Sequence, residues 1–225
     1  MKARLGLLLL GAIFFSFFHG VPYALADGKY PVRITEQNII VFPIDEKTLQ
    51  AVQITTFKNN GTTKESTLPI YLPKDYQELE LTEGLTQDTI KNIDKGIVDT
   101  TGLDPGQEKQ ITLTYIMPLE KKKSRWVIEQ SFVTETFNVV IPAGVLSLEA
   151  ANLVTQSELF EMNDREFRRF TRVDMHPKEP WLLSFRILEP LQSNTEEKEE
   201  AAKKDLHLEE DYTSDGKKIY GHEHG

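Results

Sequence analysis

The sequence predicts an all-β protein of two tandem antiparallel β-sandwiches followed by an acidic C-terminal tail. Apolar and polar residues alternate in many short runs, as they do in strands with one buried and one solvated face. Turn residues separate the runs, and one passage of the first half recurs in the second half. The clearest alternating runs are Val52/Ile54, Leu68/Ile70/Leu72, Trp126/Ile128 and Phe137/Val139/Ile141.

The recurring passage gives the division into modules. Four segments of the first half align with four segments of the second. Leu72-Pro73 aligns with Ile141-Pro142, and Leu85-Thr86-Gln87 aligns with Val154-Thr155-Gln156. Asp104-Pro105 aligns with His176-Pro177, and the alternating run Ile111/Leu113/Tyr115 aligns with Leu183/Phe185/Ile187. We therefore expect modules at residues 27–120 and 121–191, with the boundary in the polar segment 120–125.

Two stretches interrupt the strand pattern. Between Thr155 and Phe170, Thr155 and Glu158 have the spacing of a capping box, and Leu159, Met162 and Phe170 are partly helical in spacing. Residues 86–93 occupy the same place in the first module. We expect a short helix or turn at both places.

The N-terminus has the pattern of an export signal. Lys2 and Arg4 precede an apolar run of about 14 residues, too short to span a bilayer, and small residues end at Ala26. We expect residues 1–26 to be cleaved after Ala26 and the protein to be secreted, with an uncleaved membrane anchor as the alternative. The chain has no Cys, which excludes disulfides and thiolate sites and favours a bacterial exoprotein or cell-envelope protein.

The last segment, residues 192–225, has almost no apolar residues and is dominated by Glu, Lys and Asp. Such a segment cannot offset its ordering entropy by burial, so we expect it to be disordered, or partly helical over residues 196–208.

The order of turns in the first module supports a more specific fold. Asn59-Asn60-Gly61-Thr62 follows an early strand, and Asp104-Pro105-Gly106-Gln107 opens the last one. Over residues 32–119 this resembles the immunoglobulin-like sandwiches of prokaryotic extracellular proteins, the CARDB and NEW3-type domains. The second module lacks the Asn-Gly turn and has Pro177-Lys178-Glu179 at the second turn. Its resemblance to these domains therefore rests on the internal repeat. The resemblance implies immunoglobulin-like sandwiches without shared catalytic residues, in a spacer, adhesion or assembly role.

Charge limits the class of partner. The formal net charge is −9, which argues against nucleic-acid binding, because affinity for nucleic acids comes mainly from phosphate neutralisation. Two basic runs stand out on this acidic chain and are candidates for binding an anionic lipid or polymer of the envelope. Their members are Lys121, Lys122, Lys123 and Arg125 in the first run and Arg168, Arg169 and Arg172 in the second. The alternative is that both are solvated surface residues.

The tail contains candidate metal ligands. His207, His222 and His224, with acidic residues nearby, have the donor types that bind Cu(II), Ni(II) or Zn(II). A solubilising tail that happens to contain histidines is the alternative.

The sequence carries no serine-hydrolase elbow, phosphate-binding loop or zinc-peptidase helix motif, and we expect no enzyme. The predicted function is a secreted or envelope-associated, non-catalytic protein that binds or assembles with an envelope protein, polymer or lipid. The alternative is an extracytoplasmic metal-handling accessory protein that uses the histidine tail.

Overall fold

The computed structural model describes residues 30–151, 156–177 and 179–188. Within these ranges the chain forms thirteen strands and one 3₁₀ helix, Gln87–Thr89, and no α-helix. The strands are β1 Val32–Pro43, β2 Thr48–Asn59, β3 Leu68–Tyr71, β4 Gln77–Glu83, β5 Ile90–Ile93, β6 Gly96–Asp99, β7 Glu108–Pro118, β8 Lys123–Ile128, β9 Val133–Pro142, β10 Leu146–Ala151, β11 Gln156–Met162, β12 Arg165–Met175 and β13 Trp181–Ile187. No helix of this described part is long and apolar enough to cross a membrane.

Seven strands form one mixed sheet in the order β11-β12-β9-β1-β2-β7-β4. The first half of the chain supplies β1, β2, β4 and β7, and the second half supplies β9, β11 and β12. The halves meet where β1 pairs with β9 in parallel, in register from Arg33 opposite Val133 to Ile40 opposite Val140. The other pairs of this sheet are antiparallel.

Two three-stranded antiparallel sheets, β3-β6-β5 and β10-β13-β8, form the second layer. Their inward residues share one hydrophobic core with a single face of the large sheet. Phe137 of β9 contacts Trp181 of β13 edge to face at 5.1 Å between ring centroids. Trp126 of β8 lies 4.3 Å from Phe185 and 6.4 Å from Tyr115 of β7. The core therefore continues across both halves.

Tyr115 shows how the core accommodates a polar group. Its side chain is fully buried, and burial raises the pKa of its hydroxyl far above the ordinary value, so the group stays protonated. The hydroxyl donates to Oε1 of Gln53, which is itself buried, at 3.2 Å. This bond satisfies two polar atoms inside an apolar layer.

The prediction of an all-β fold is confirmed. The expected boundary at residue 120 lies just before the turn into β8 and separates halves that share a sheet and a core. The described residues from Pro31 onward belong to one compact unit. The repeated passage also occupies unlike places, because Leu72 and Pro73 follow β3 in a small sheet whereas Ile141 and Pro142 end β9 in the large one.

The expected helix or turn between Thr155 and Phe170 is a β-hairpin. Strands β11 and β12 pair over seven positions, and Asn163 and Asp164 form the turn with φ angles of 52° and 58°. Two successive residues with positive φ are typical of the type I′ turn, whose twist matches the flanking strands. Thr155 itself lies outside the described residues. In the first half, the 3₁₀ helix Gln87–Thr89 confirms the short helix or turn expected there.

One buried ion pair ties β6 to β7. The Asp99 side chain is fully buried, and Nζ of Lys109 donates to its Oδ2 at 2.6 Å. The hydroxyl and backbone N–H of Thr101 donate to the same carboxylate. The pair joins the end of β6, the central strand of the small sheet β3-β6-β5, to the start of β7 in the large sheet.

We expect Lys109→Met to lower the free energy of unfolding by about 3 kcal/mol, because it leaves the Asp99 carboxylate buried without its cation. Lys64→Met is the matched control, since Lys64 and Asp104 form an ion pair at 3.4 Å with both side chains about half exposed. That change should cost less than about 1 kcal/mol. Urea unfolding of both variants measures the difference, and equal losses would show that burial of Asp99 is not decisive.

We expect the two halves to unfold together, because they share a sheet and a core. The two tryptophans of the chain both lie in the second half, so their fluorescence reports that half, whereas far-ultraviolet circular dichroism reports strands of both. The two signals should give coincident urea transitions. Separate midpoints would show that the halves are independent folding units.

Candidate functional site

The first basic run begins in the turn between β7 and β8. Lys121 and Lys122 have φ angles of 52° and 61°, and Glu120 and Lys123 exchange backbone hydrogen bonds of 2.8 and 3.0 Å around them. This is a two-residue turn of the type that Asn-Gly fills at lowest cost. Lys121 is exposed, whereas Nζ of Lys122 lies 3.3 Å from Oε1 of Glu46.

The run continues along the outer face of β8. The strand alternates between exposed and buried residues, so Lys123, Arg125 and Val127 point outward. Trp126 points inward and is fully buried in the aromatic core. The packing of Trp126 therefore fixes the direction in which its charged neighbours project.

Sequence reasoning missed a third cation on the neighbouring strand. Arg186 of β13 is exposed and lies directly opposite Lys123, and Ser184 lies opposite Arg125. We define the cationic face as Lys123, Arg125 and Arg186. Among the ion pairs of the described residues, none includes a side chain of this face. The acidic residue on the strands of the same small sheet is Glu149 of β10, which lies opposite Ser184.

Exposed aliphatic side chains accompany the cationic face. Val127 and Leu182 lie opposite each other on β8 and β13 with 46% and 40% of their surface exposed. At the other end of the sheet, Val145 and Leu188 are 45% and 37% exposed and are joined by a backbone hydrogen bond. These are four of the eight exposed large hydrophobic residues in the described ranges, so apolar surface is concentrated where the cations are.

The second basic run does not join the cationic face, because β12 belongs to the other layer. Arg168 is exposed on β12. Arg169 forms an ion pair with Glu158 of β11, and burial lowers the pKa of its guanidinium. Arg172 lies 3.6 Å from a carboxylate oxygen of Glu179 and 5.7 Å from the Trp181 ring centroid. Arg169 and Arg172 thus have structural partners.

The predicted metal ligands His207, His222 and His224 lie outside the described residues. Within the described ranges there is no group of three or more His, Asp or Glu side chains placed to hold a metal ion. The export signal predicted for residues 1–26 and the tail 192–225 also lie outside the structure described.

No protein-family model matches the chain, and no curated protein matches it. Among solved structures it is similar to a candidate protease from Parabacteroides distasonis, with 13% identity, a TM-score of 0.45 and coverage of 69% of this chain and 40% of that one. It is also similar to the M1 zinc metallopeptidase of Deinococcus radiodurans, with 14% identity, a TM-score of 0.41 and coverage of 70% and 42%. The chain thus spans about two fifths of the length of these proteins, and such likenesses assign it no activity.

In a chain with Glu197, Glu199 and Glu200 of the acidic tail changed to Gln, we expect Lys123→Gln to raise the free energy of unfolding by about 0.5 kcal/mol at low salt, because Lys123 and Arg186 are like charges at directly opposite strand positions. The matched control is Lys58→Gln, since Lys58 lies opposite Glu108 on β7 and its loss should destabilise slightly. Urea unfolding at low and high salt measures both effects, which should shrink as salt screens them. A loss of stability in Lys123→Gln would show that Arg186 does not repel it.

Proposed function

We propose that this chain is a secreted or cell-envelope-associated, non-catalytic protein that binds an anionic lipid surface through the cationic face. The observation that carries the proposal is the grouping of Lys123, Arg125 and Arg186 on one small sheet without ion-pair partners among the described residues. Each Lys or Arg near an anionic membrane contributes about 1 kcal/mol of attraction. Three such residues on one sheet contribute about 3 kcal/mol, which corresponds to weak and reversible binding.

The neighbouring aliphatic side chains favour a lipid surface over a soluble anionic polymer. A polymer would need the cations only, whereas Val127 and Leu182 remain exposed to water unless something apolar covers them. At a bilayer interface their side chains leave water while the cations contact head groups, as in interfacial amphipathic elements. Charge and apolar surface together therefore favour the bilayer.

The net charge of the chain is consistent with a local mode of binding. At −9 overall, the protein as a whole is repelled by an anionic surface, and attraction depends on the orientation of one face. Screening confines that attraction to about 10 Å or less at physiological salt. The protein should therefore bind in one orientation, with the sheet β10-β13-β8 toward the lipid.

We also propose that each half of the chain is one immunoglobulin-like sandwich and that the two sandwiches are joined edge to edge through β1 and β9. The first half has four strands in the large sheet and β3-β6-β5 against them, and the second has three strands and β10-β13-β8. Export through a signal cleaved after Ala26 places the protein outside the cytoplasm, where it meets the envelope.

We expect co-sedimentation of the protein with vesicles of phosphatidylglycerol and phosphatidylcholine, and loss of binding with phosphatidylcholine alone. Lys123→Gln, Arg125→Gln and Arg186→Gln together should weaken the affinity roughly 100-fold, at about 1 kcal/mol per cation. A control with the same charge change replaces Lys64, Lys74 and Lys91, which are exposed elsewhere, and should weaken binding much less.

A second variant separates lipid from polymer. Val127→Ser with Leu182→Ser should weaken binding to vesicles but leave binding to a soluble anionic polymer such as polyphosphate unchanged. If the serine variant binds vesicles like the unaltered protein, or if the protein binds polyphosphate more tightly than vesicles, the proposed lipid ligand is wrong.

A further inference from the structure

Without a bound anion, the cationic face carries unfavourable electrostatic repulsion. Lys123 and Arg186 are directly opposite each other, and like charges in that position destabilise a sheet. An anionic group placed between them would remove the repulsion and would also approach Arg125, which lies two residues from Lys123 on the same strand face. The acidic residue of this sheet, Glu149, lies on β10 opposite Ser184 and therefore not between Lys123 and Arg186.

The chain itself carries a segment of matching charge directly after this sheet. Residues 193–225 contain ten Asp or Glu and five Lys, a net charge of −5 with His neutral. The densest group of acids, Glu196, Glu197, Glu199 and Glu200, begins eight residues after Leu188. Leu188 follows β13, the strand that bears Arg186.

The connection is long enough for these acids to reach the face. Eight residues span up to roughly 26 Å when extended. The sheet is about 10 Å wide across its three strands, and Lys123 to Val127 covers about 13 Å along β8. A tether of this length keeps the acids at an effective concentration of about millimolar near the face.

We infer that the acidic tail, through residues 196–200, occupies the cationic face and competes with the anionic surface that this face binds. The contact is electrostatic, with tail carboxylates accepting from Lys123, Arg125 and Arg186. Its regulatory consequence rests on the proposed function, because a lipid surface must displace the tail before it can bind. A highly anionic surface, or neutralisation of the tail, favours the lipid-bound state.

The contact can be tested without any lipid. A water-soluble carbodiimide joins a carboxylate to a lysine amine without a spacer, and mass spectrometry identifies the linked peptides. With the purified protein at low concentration we expect links from residues 196–200 to Lys121 or Lys123, few links to the exposed Lys91, and loss of the links in 0.5 M salt. A mixture of ¹⁴N- and ¹⁵N-labelled protein shows whether the links are within one molecule.

The regulatory consequence is tested with vesicles and matched variants. Glu197→Gln, Glu199→Gln and Glu200→Gln in the full chain should raise the affinity for anionic vesicles about threefold by removing the competitor. Glu78→Gln, Glu80→Gln and Glu83→Gln make the same charge change on β4, at the far edge of the large sheet, and should raise it much less.

The outcomes separate the inference from the proposed function. Absence of links to Lys121 and Lys123, links only between molecules, or equal gains in both glutamine variants would overturn the inference. Links within one molecule, together with no vesicle binding by any variant, would support the tail contact and refute lipid binding. Links with a selective gain in the tail variant would support both.

Discussion

The parallel pairing of β1 with β9 is the constraint on which the rest of the structure depends. These strands are separated by about ninety residues, and their pairing converts two sets of antiparallel strands into one seven-stranded sheet. Across it, Nδ2 of Asn138 donates to Oδ1 of Asn38 at 2.9 Å, with both side chains buried. Closing so long a loop costs entropy that local pairing does not. The hydrogen bonds of the strand pair and the burial of the shared core must offset that loss of entropy.

The pairing also determines which face of the small sheet β10-β13-β8 is left exposed to solvent. Because it aligns one face of both halves, the two small sheets lie on the same side and bury their inner residues in one core. Trp126 is fully buried there, and strand alternation then directs Arg125 and Val127 outward. The cationic face is thus a consequence of aromatic packing on its reverse side. A face held in this way presents its charges at fixed spacing rather than on mobile loops.

Local patterns in the sequence predicted the fold class but not the tertiary pairing. Alternation identified Val52 and Ile54 as strand residues, yet the core takes the opposite face of β2, including Ala51 and the hydrogen-bonded Gln53. Periodicity gives the spacing of a strand, and only its partners decide which face is buried. The pairing of β1 with β9 leaves no local signal. The turn residues Asn163 and Asp164 were the signal that could have indicated a hairpin instead of the expected short helix or turn. Lys123 and Arg125 could be found as a run, whereas Arg186 is a lone arginine that only strand register brings opposite them.

Two departures from local preference meet at the start of β8, and together they favour a functional reading of this surface. Lys121 and Lys122 occupy left-handed positions that Asn-Gly would fill with less strain. Immediately afterwards, Lys123 lies opposite Arg186, although a glutamate there would stabilise the strand pair. Neither choice improves the fold, and both add positive charge at the same end of one sheet. Because proteins tend to break local preferences at functional sites, the combined cost supports the proposal that this face binds an anionic group, from the acidic tail or from a lipid surface.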